Sequence, residues 1–255
     1  MIGRQIKAKI SRNERVVGTC LWGVGNPFLL KYYLNIDMDL VFIDNEHNPL
    51  DKTTTSHALT YFANAGIAPL LRIENPDAYL ASKGLDAGAH GIMVPYVETA
   101  DEAWKVVSAV RYKPLKGKAL EYIRKEGVFP SKETKTYVNK RNEDGFVVVM
   151  LESRAGLDKL DEILAVKGIT AIVIGPNDFS TSLGVPDQYD HPIFIEAAEE
   201  ALRKSKEKGV GFGLHLSDME KQKFWVDKGA NFIIYASEAE IAQRYLLKEL
   251  RSLRK

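Results

Sequence analysis

Residues 147–153 read Val-Val-Val-Met-Leu-Glu-Ser, and residues 171–178 read Ala-Ile-Val-Ile-Gly-Pro-Asn-Asp. Each is an unbroken apolar run that stops on small or acidic polar residues. A strand with one wet face alternates apolar and polar residues. A continuous Val/Ile/Leu run is the pattern of a parallel strand buried on both faces. The pattern recurs, so strands are expected at Val16–Gly23, Leu40–Asp44, Ala68–Ile73, Gly91–Val97, Val147–Ser153, Ala171–Gly175, Val210–His215 and Phe232–Ala236. Amphipathic helical stretches separate them, at Pro27–Leu34, Thr53–Ala65, Ala78–Asp86, Ala100–Val110, Leu157–Val166, Pro192–Lys208, Met219–Lys228 and Ala239–Leu253. Several open on capping signals, such as Thr99 before Asp101-Glu102 and Ser217-Asp218, and several close on glycine, as at Gly209 and Gly229. Eight strands alternating with eight helices is the count of a closed α/β barrel, the (β/α)8 TIM fold, and one such barrel of about 250 residues takes up all of 1–255 as a single domain. No Gly-x-Gly-x-x-Gly follows the first strand, which disfavours an open dinucleotide-binding sheet. Tyr112 to Gly145 is highly charged with little periodicity and is expected as a long irregular insertion between helix 4 and strand 5.

The composition, 45% hydrophobic and 27% charged, excludes disordered and fibrous classes. Thirty-five basic against thirty-four acidic residues leave no electrostatic footprint for nucleic acid. Cys20, the only cysteine, builds neither a disulfide framework nor a zinc knuckle and reads as a small core residue. No apolar run approaches the roughly 20 residues of a membrane span, and the N-terminus MIGRQIKAKI has no long hydrophobic signal region. The expectation is a cytoplasmic protein without membrane or nucleic-acid partners.

In a barrel of this kind the chemistry gathers at the C-terminal ends of the strands. Those ends carry Asp44-Asn45-Glu46-His47, Arg72, Met150-Leu151-Glu152, Gly175-Pro176-Asn177-Asp178 and His215, with Trp22 closing the first apolar run. Taken singly, Asp178 fits a helix N-cap, His47 a structural loop histidine and Arg72 an ion pair. Glu152 resists such a reading, because carboxylates behind buried strands are almost never left unpaired. Jointly, two carboxylates on neighbouring strands offer oxygen ligands to a hard divalent cation, with water and substrate completing the shell. His57, His90 and His191 read as structural; Asp44, Glu46, Trp22 and His215 are further candidates for the mouth.

These residues also occur in the order of a known family. Ile-Asp-Asn-Glu-His-Asn-Pro at 43–49, Leu-Leu-Arg at 70–72, Leu-Asp-Ala-Gly-Ala-His-Gly-Ile-Met-Val-Pro at 85–95, Met-Leu-Glu-Ser at 150–153 and Gly-Pro-Asn-Asp-Phe-Ser-Thr-Ser-Leu-Gly at 175–184, then His191-Pro192, resemble the HpcH/HpaI family of metal-dependent (class II) pyruvate aldolases, relatives of the citrate lyase β-subunit group. The resemblance runs from about Gly18 to about Ala236. It implies that Glu152 and Asp178 ligate Mg²⁺, Mn²⁺ or Co²⁺, that His47 is the general base, that Asp86 raises its basicity, that Arg72 stabilises an enolate, and that the backbone of Gly175, Pro176, Asn177 and Asp178 binds the pyruvyl carboxylate. It further implies a homo-oligomer, trimeric or hexameric, and a place in sugar-acid or aromatic-compound catabolism. Two positions depart from the family pattern. Met150 stands where a substrate-touching Gln is common, and Lys116-Gly117-Lys118-Ala119 replaces a Gly-x-Arg-Gly segment, so that Lys118 offers a point charge without the arginine fork.

The implied reaction splits a 4-hydroxy-2-oxo acid into pyruvate and an aldehyde, with the metal chelating the 2-oxo acid as a Lewis acid and the histidine taking the 4-hydroxyl proton. A Schiff-base route needs a lysine facing the mouth, and no expected strand end carries one. The loops after strands 7 and 8 lack the glycines of a phosphate cup, and no nucleotide cofactor is expected. Oxaloacetate decarboxylation at the same site, or a degenerate barrel that binds a 2-oxo acid without turnover, are the alternatives.

Overall fold

The computed structural model describes residues 2–254. Eight parallel strands, β1 (Val16–Cys20), β2 (Leu40–Asp44), β3 (Ala68–Arg72), β4 (Gly91–Val94), β5 (Phe146–Leu151), β6 (Ile169–Ile174), β7 (Gly211–Leu216) and β8 (Phe232–Ser237), pair in sequential order and close on themselves. Closure removes every open sheet edge, and the strand alternation sorts the side chains into two shells. One parity, including Phe42, Leu70, Met93, Val148, Val173, Phe232 and Ile234, fills the lumen. The other, including Val41, Ile43, Leu71, Ile92, Val149 and Ile174, packs outward under the helices. Cys20 belongs to the lumen set and is buried, as expected of a core residue. In β7 the glycines make room for a neighbouring strand: a Cβ on Gly213 would sit on the Phe232 carbonyl oxygen.

The lumen parity carries function upward. Continuing 40–42–44 on β2, 68–70–72 on β3, 146–148–150 on β5 and 211–213–215 on β7 delivers Asp44, Arg72, Met150 and His215 to the upper lumen. Glu152 follows β5 by one residue in the same phase. The register fixes neighbours as well: Asp44 lies opposite Arg72, and Leu151 opposite Ile174, which sets Glu152 beside Gly175.

Elsewhere the structure corrects the sequence expectation. The segment 112–145 is not irregular, since it contains the helices Gly117–Glu126 and Lys132–Arg141. Each buries one residue, Ile123 and Val138 respectively, so neither writes a readable apolar stripe. The expected helix Leu157–Val166 is two short ones, Arg154–Asp158 and Leu160–Leu164, and a further helix spans Pro176–Ser182. An N-terminal helix, Gly3–Ser11, plugs the lower end of the barrel with Ile6 and Ile10. The final helix Glu238–Ser252 buries none of its residues, leaving Ile241, Tyr245, Leu246, Leu247 and Leu250 exposed. Gly209 and Gly229 take positive φ behind their helices, as their positions after basic last turns suggest. No helix among the described residues is long and apolar enough to cross a membrane.

Candidate active site

At the upper end, Arg72 is held from two sides. Its Nε and Nη2 donate to Asp44 Oδ1 and Oδ2 at 2.8 and 2.7 Å, a bidentate fork. Asp44 is 2% exposed. Burial works against its charge, but the hydrogen-bonded guanidinium outweighs that and holds the carboxyl below the usual carboxylate range. Asp44 Oδ1 also accepts the backbone N–H of Glu46 at 2.9 Å, which shapes the turn after β2. The third nitrogen, Nη1, lies 2.9 Å from Glu46 Oε2 and donates to Met150 Sδ at 3.6 Å. Glu46 Oε2 is buried without a hydrogen-bond partner, its contact with Arg72 being close but misaligned. Burial pushes the Glu46 carboxyl up, against the pull of Arg72.

Glu152 faces this group from β5. It is 3% exposed and accepts one hydrogen bond, from the Tyr96 N–H at 2.8 Å. Burial raises its pKa to about 7, with Glu46 and Asp178 adding repulsion and Arg72 opposing. Gly175 is what lets Glu152 reach its place, because a Cβ there would come within 2.4 Å of Glu152 Oε1. Asp178 sits in the first turn of the helix Pro176–Ser182, entered through Gly175 and Pro176. The Arg154 N–H donates to Ser182 Oγ at 2.9 Å and ties that helix to the loop after Glu152. We expect Gly175→Ala to fold but to weaken divalent-cation affinity about 10–100-fold, the range for disturbed ligand support; calorimetric titration with Mn²⁺ checks this, and wild-type affinity would refute it.

The remaining sequence candidates divide. His47 stands at the rim with its Nε2 3.7 Å from Glu46 Oε2. Trp22 is 44% exposed there, and the Glu238 carboxylate accepts its backbone N–H at 2.7 Å and also that of Gly23. His215 lies in the lumen, its Nε2 3.2 Å from the Ala236 carbonyl and its ring edge-on to Phe42; burial lowers its pKa. Asn177 donates from its side-chain amide to Asp187 Oδ1 at 2.9 Å, which turns that amide towards the loop after its helix. Asp86 is not at this mouth in the chain. It ends the helix Ala78–Asp86, which runs back to the lower rim, and pairs there with Lys113. Lys118 is not at the mouth either; it is exposed and starts the helix Gly117–Glu126 packed outside the barrel. Tyr96 was not among the sequence candidates. Its contribution is a backbone N–H presented at φ +52°, for which a side chain gives no signal.

The donor set suits a hard cation. Glu152, Asp178 and Glu46 supply carboxylate oxygens only, one of them orphaned, and the Glu152 carboxyl is held against its preferred charge state where a cation would relieve it. Among the described residues no three His, Cys, Asp or Glu side chains converge to enclose an ion by themselves.

The chain is similar to known proteins over most of its length. The family model described as HpcH/HpaI aldolase/citrate lyase matches residues 20–243. A hydroxypyruvate/pyruvate aldolase of Deinococcus radiodurans is 32% identical over 229 residues, covering 88% of this chain and 81% of the relative. A 2-keto-3-deoxy-L-rhamnonate aldolase of Klebsiella pneumoniae is 30% identical over 236 residues, covering 91% of this chain and 86% of the relative. The crystal structure of an HpcH/HpaI aldolase from Desulfitobacterium hafniense superposes with a TM-score of 0.83 at 29% identity, covering 98% of this chain and 96% of that one.

Proposed function

The chain belongs to the HpcH/HpaI aldolase/citrate lyase family, and from that premise we propose that it is a divalent-cation-dependent aldolase cleaving 4-hydroxy-2-oxo acids to pyruvate and an aldehyde. The observation that carries this reading is the facing pair of Arg72, immobilised by Asp44, and Glu152, buried and short of a counter-charge. Glu152 and Asp178 hold the cation, which when bound supplies Lewis-acid polarisation of the carboxylate and keto oxygens of a 2-oxo acid.

The chain's own groups do the rest. His47, exposed at the rim, takes the proton of the 4-hydroxyl. The C3–C4 bond breaks, the C4 oxygen becomes the aldehyde carbonyl, and the electron pair passes into the pyruvate enolate, which is reprotonated at C3. Glu46, 3.7 Å from the imidazole, stabilises the imidazolium, the part the family resemblance gave to Asp86. Arg72 cannot swing away, because two of its nitrogens are tied to Asp44, so its charge is already oriented where the enolate develops. The N–H groups of the first turn at Asn177 and Asp178 offer donors for the pyruvyl carboxylate. Met150 leaves the substrate without the side-chain amide common in the family and packs its thioether on Arg72 instead.

The same reading includes a homo-oligomer, supported by the apolar side chains that the helix Glu238–Ser252 leaves uncovered. Pyruvate release should be measured across 4-hydroxy-2-oxo acids and oxaloacetate, before and after chelation with EDTA and after return of Mg²⁺ or Mn²⁺. Cleavage lost on chelation and restored by the metal supports the assignment. Full activity after chelation refutes it, and turnover of oxaloacetate alone replaces it with a decarboxylase. Met150 specifically favours one second reading, a barrel that binds 2-oxo acids without cleaving them, which pyruvate binding without any turnover would establish.

A further inference from the structure

At the end of the barrel opposite the mouth, a cleft of about 570 Å³ opens between the N-terminal helix, the turn before β5 and the start of β6. Its wall includes Arg4, Lys7, Arg111, Asn139, Thr170 and Gly168. Only one carboxylate, Glu143, lines it, and that one is taken by Arg4 at 2.5 Å. Lys7 is half-buried and donates from Nζ to the carbonyls of Glu143 and Gly145 at 2.7 and 2.9 Å. Arg111 donates one bond, from Nη1 to the Lys167 carbonyl at 3.3 Å. Neither cation forms an ion pair with a carboxylate among the described residues. Burial and the neighbouring Arg111 guanidinium both lower the Lys7 pKa, against the opposing pull of Asp144 and Glu143. Two cations thus share one concavity with no carboxylate paired to either, and the partial burial of Lys7 beside Arg111 works against its charge until an anion enters.

We propose that this cleft binds a small phosphate monoester, whose dianionic phosphate bridges Lys7 and Arg111. The charge matches: two uncompensated cations meet two negative charges, and the Arg111 fork suits tetrahedral oxyanions. The free Arg111 N–H groups and the third Lys7 proton are the donors, and Thr170 lines the same wall. The volume leaves space for a few carbon atoms beyond the phosphate. The cleft shares no residue with the mouth, so the site stands or falls independently of the aldolase assignment.

Calorimetry with inorganic phosphate and glycerol 3-phosphate, with malonate as a carboxylate control at matched ionic strength, tests this. One site per chain is expected for both phosphates and none for malonate, with affinity falling about tenfold or more in Arg111→Gln and in Lys7→Gln, since a charge-assisted hydrogen bond is lost. Arg111 is exposed, so its variant is expected to fold and to keep the cation-dependent turnover of the parent chain. Absence of binding at millimolar phosphate, unchanged binding in Arg111→Gln, or equal binding of malonate would each overturn the proposal.

Discussion

Glu152→Gln is expected to abolish cation-dependent pyruvate release while making the cation-free protein more stable at neutral pH. The activity loss should exceed about a hundredfold, the upper end of what outer partners of metal ligands cost, because the substitution removes a ligand itself. The stability gain follows from linkage. Glu152 titrates near 4.5 when unfolded and at about 7 in the folded chain. The native state therefore binds the proton more tightly, and its stability falls as pH rises from about 4.5 to about 7. The full cost is about 3 kcal/mol for a shift of this size. Glutamine cannot ionise, yet its amide oxygen can still accept the Tyr96 N–H, so the variant escapes that penalty. Urea unfolding of the EDTA-treated proteins between pH 5 and 8 reads it out: the wild type should lose stability across the range and the variant should not. Added Mn²⁺ should restore the wild type and leave the variant unchanged. Equal pH profiles for the two proteins would mean that Glu152 is not held against its charge.

Arg72→Met should cost about 3–5 kcal/mol of folding stability, because it strands the Asp44 carboxylate without its partner in the barrel. It should also lower kcat more than it raises KM, since the lost charge acts on the enolate and less on the bound ground state. The two effects separate in the double variant Asp44→Asn/Arg72→Met. There the uncompensated charge is gone, so much of the stability should return while turnover stays low. Denaturant midpoints and steady-state kinetics of the wild type and the two variants decide the matter. If the single variant unfolds like the wild type, the Asp44–Arg72 fork contributes nothing. If the double variant regains turnover, Arg72 acts only through the fold.

The sequence placed Asp44, Arg72, Met150, Glu152 and His215 at the strand ends because each closes or directly follows an apolar run. The structure keeps them there because period-two alternation and parallel register leave no other place for them. Asp86 was not legible in the same way. It matched a family position in order along the chain, but a helix following β3 must run back to the lower rim, which carries its last residue to Lys113. The helices at 117–126 and 132–141 were missed for an energetic reason, since a segment that buries one side chain has no apolar period to display.

By itself the chain of residues determined the barrel, its strand count and which carboxylates stand at one end of it, since apolar periodicity is a local property repeated eight times. Only the tertiary structure decided how those groups are electrostatically arranged. The fork that pins Arg72, the burial that raises Glu152, the glycine that gives it space and the unshared cations at the far end all depend on distances between residues remote in the chain. Charge energies follow those distances and the local dielectric, and neither is written in any one segment.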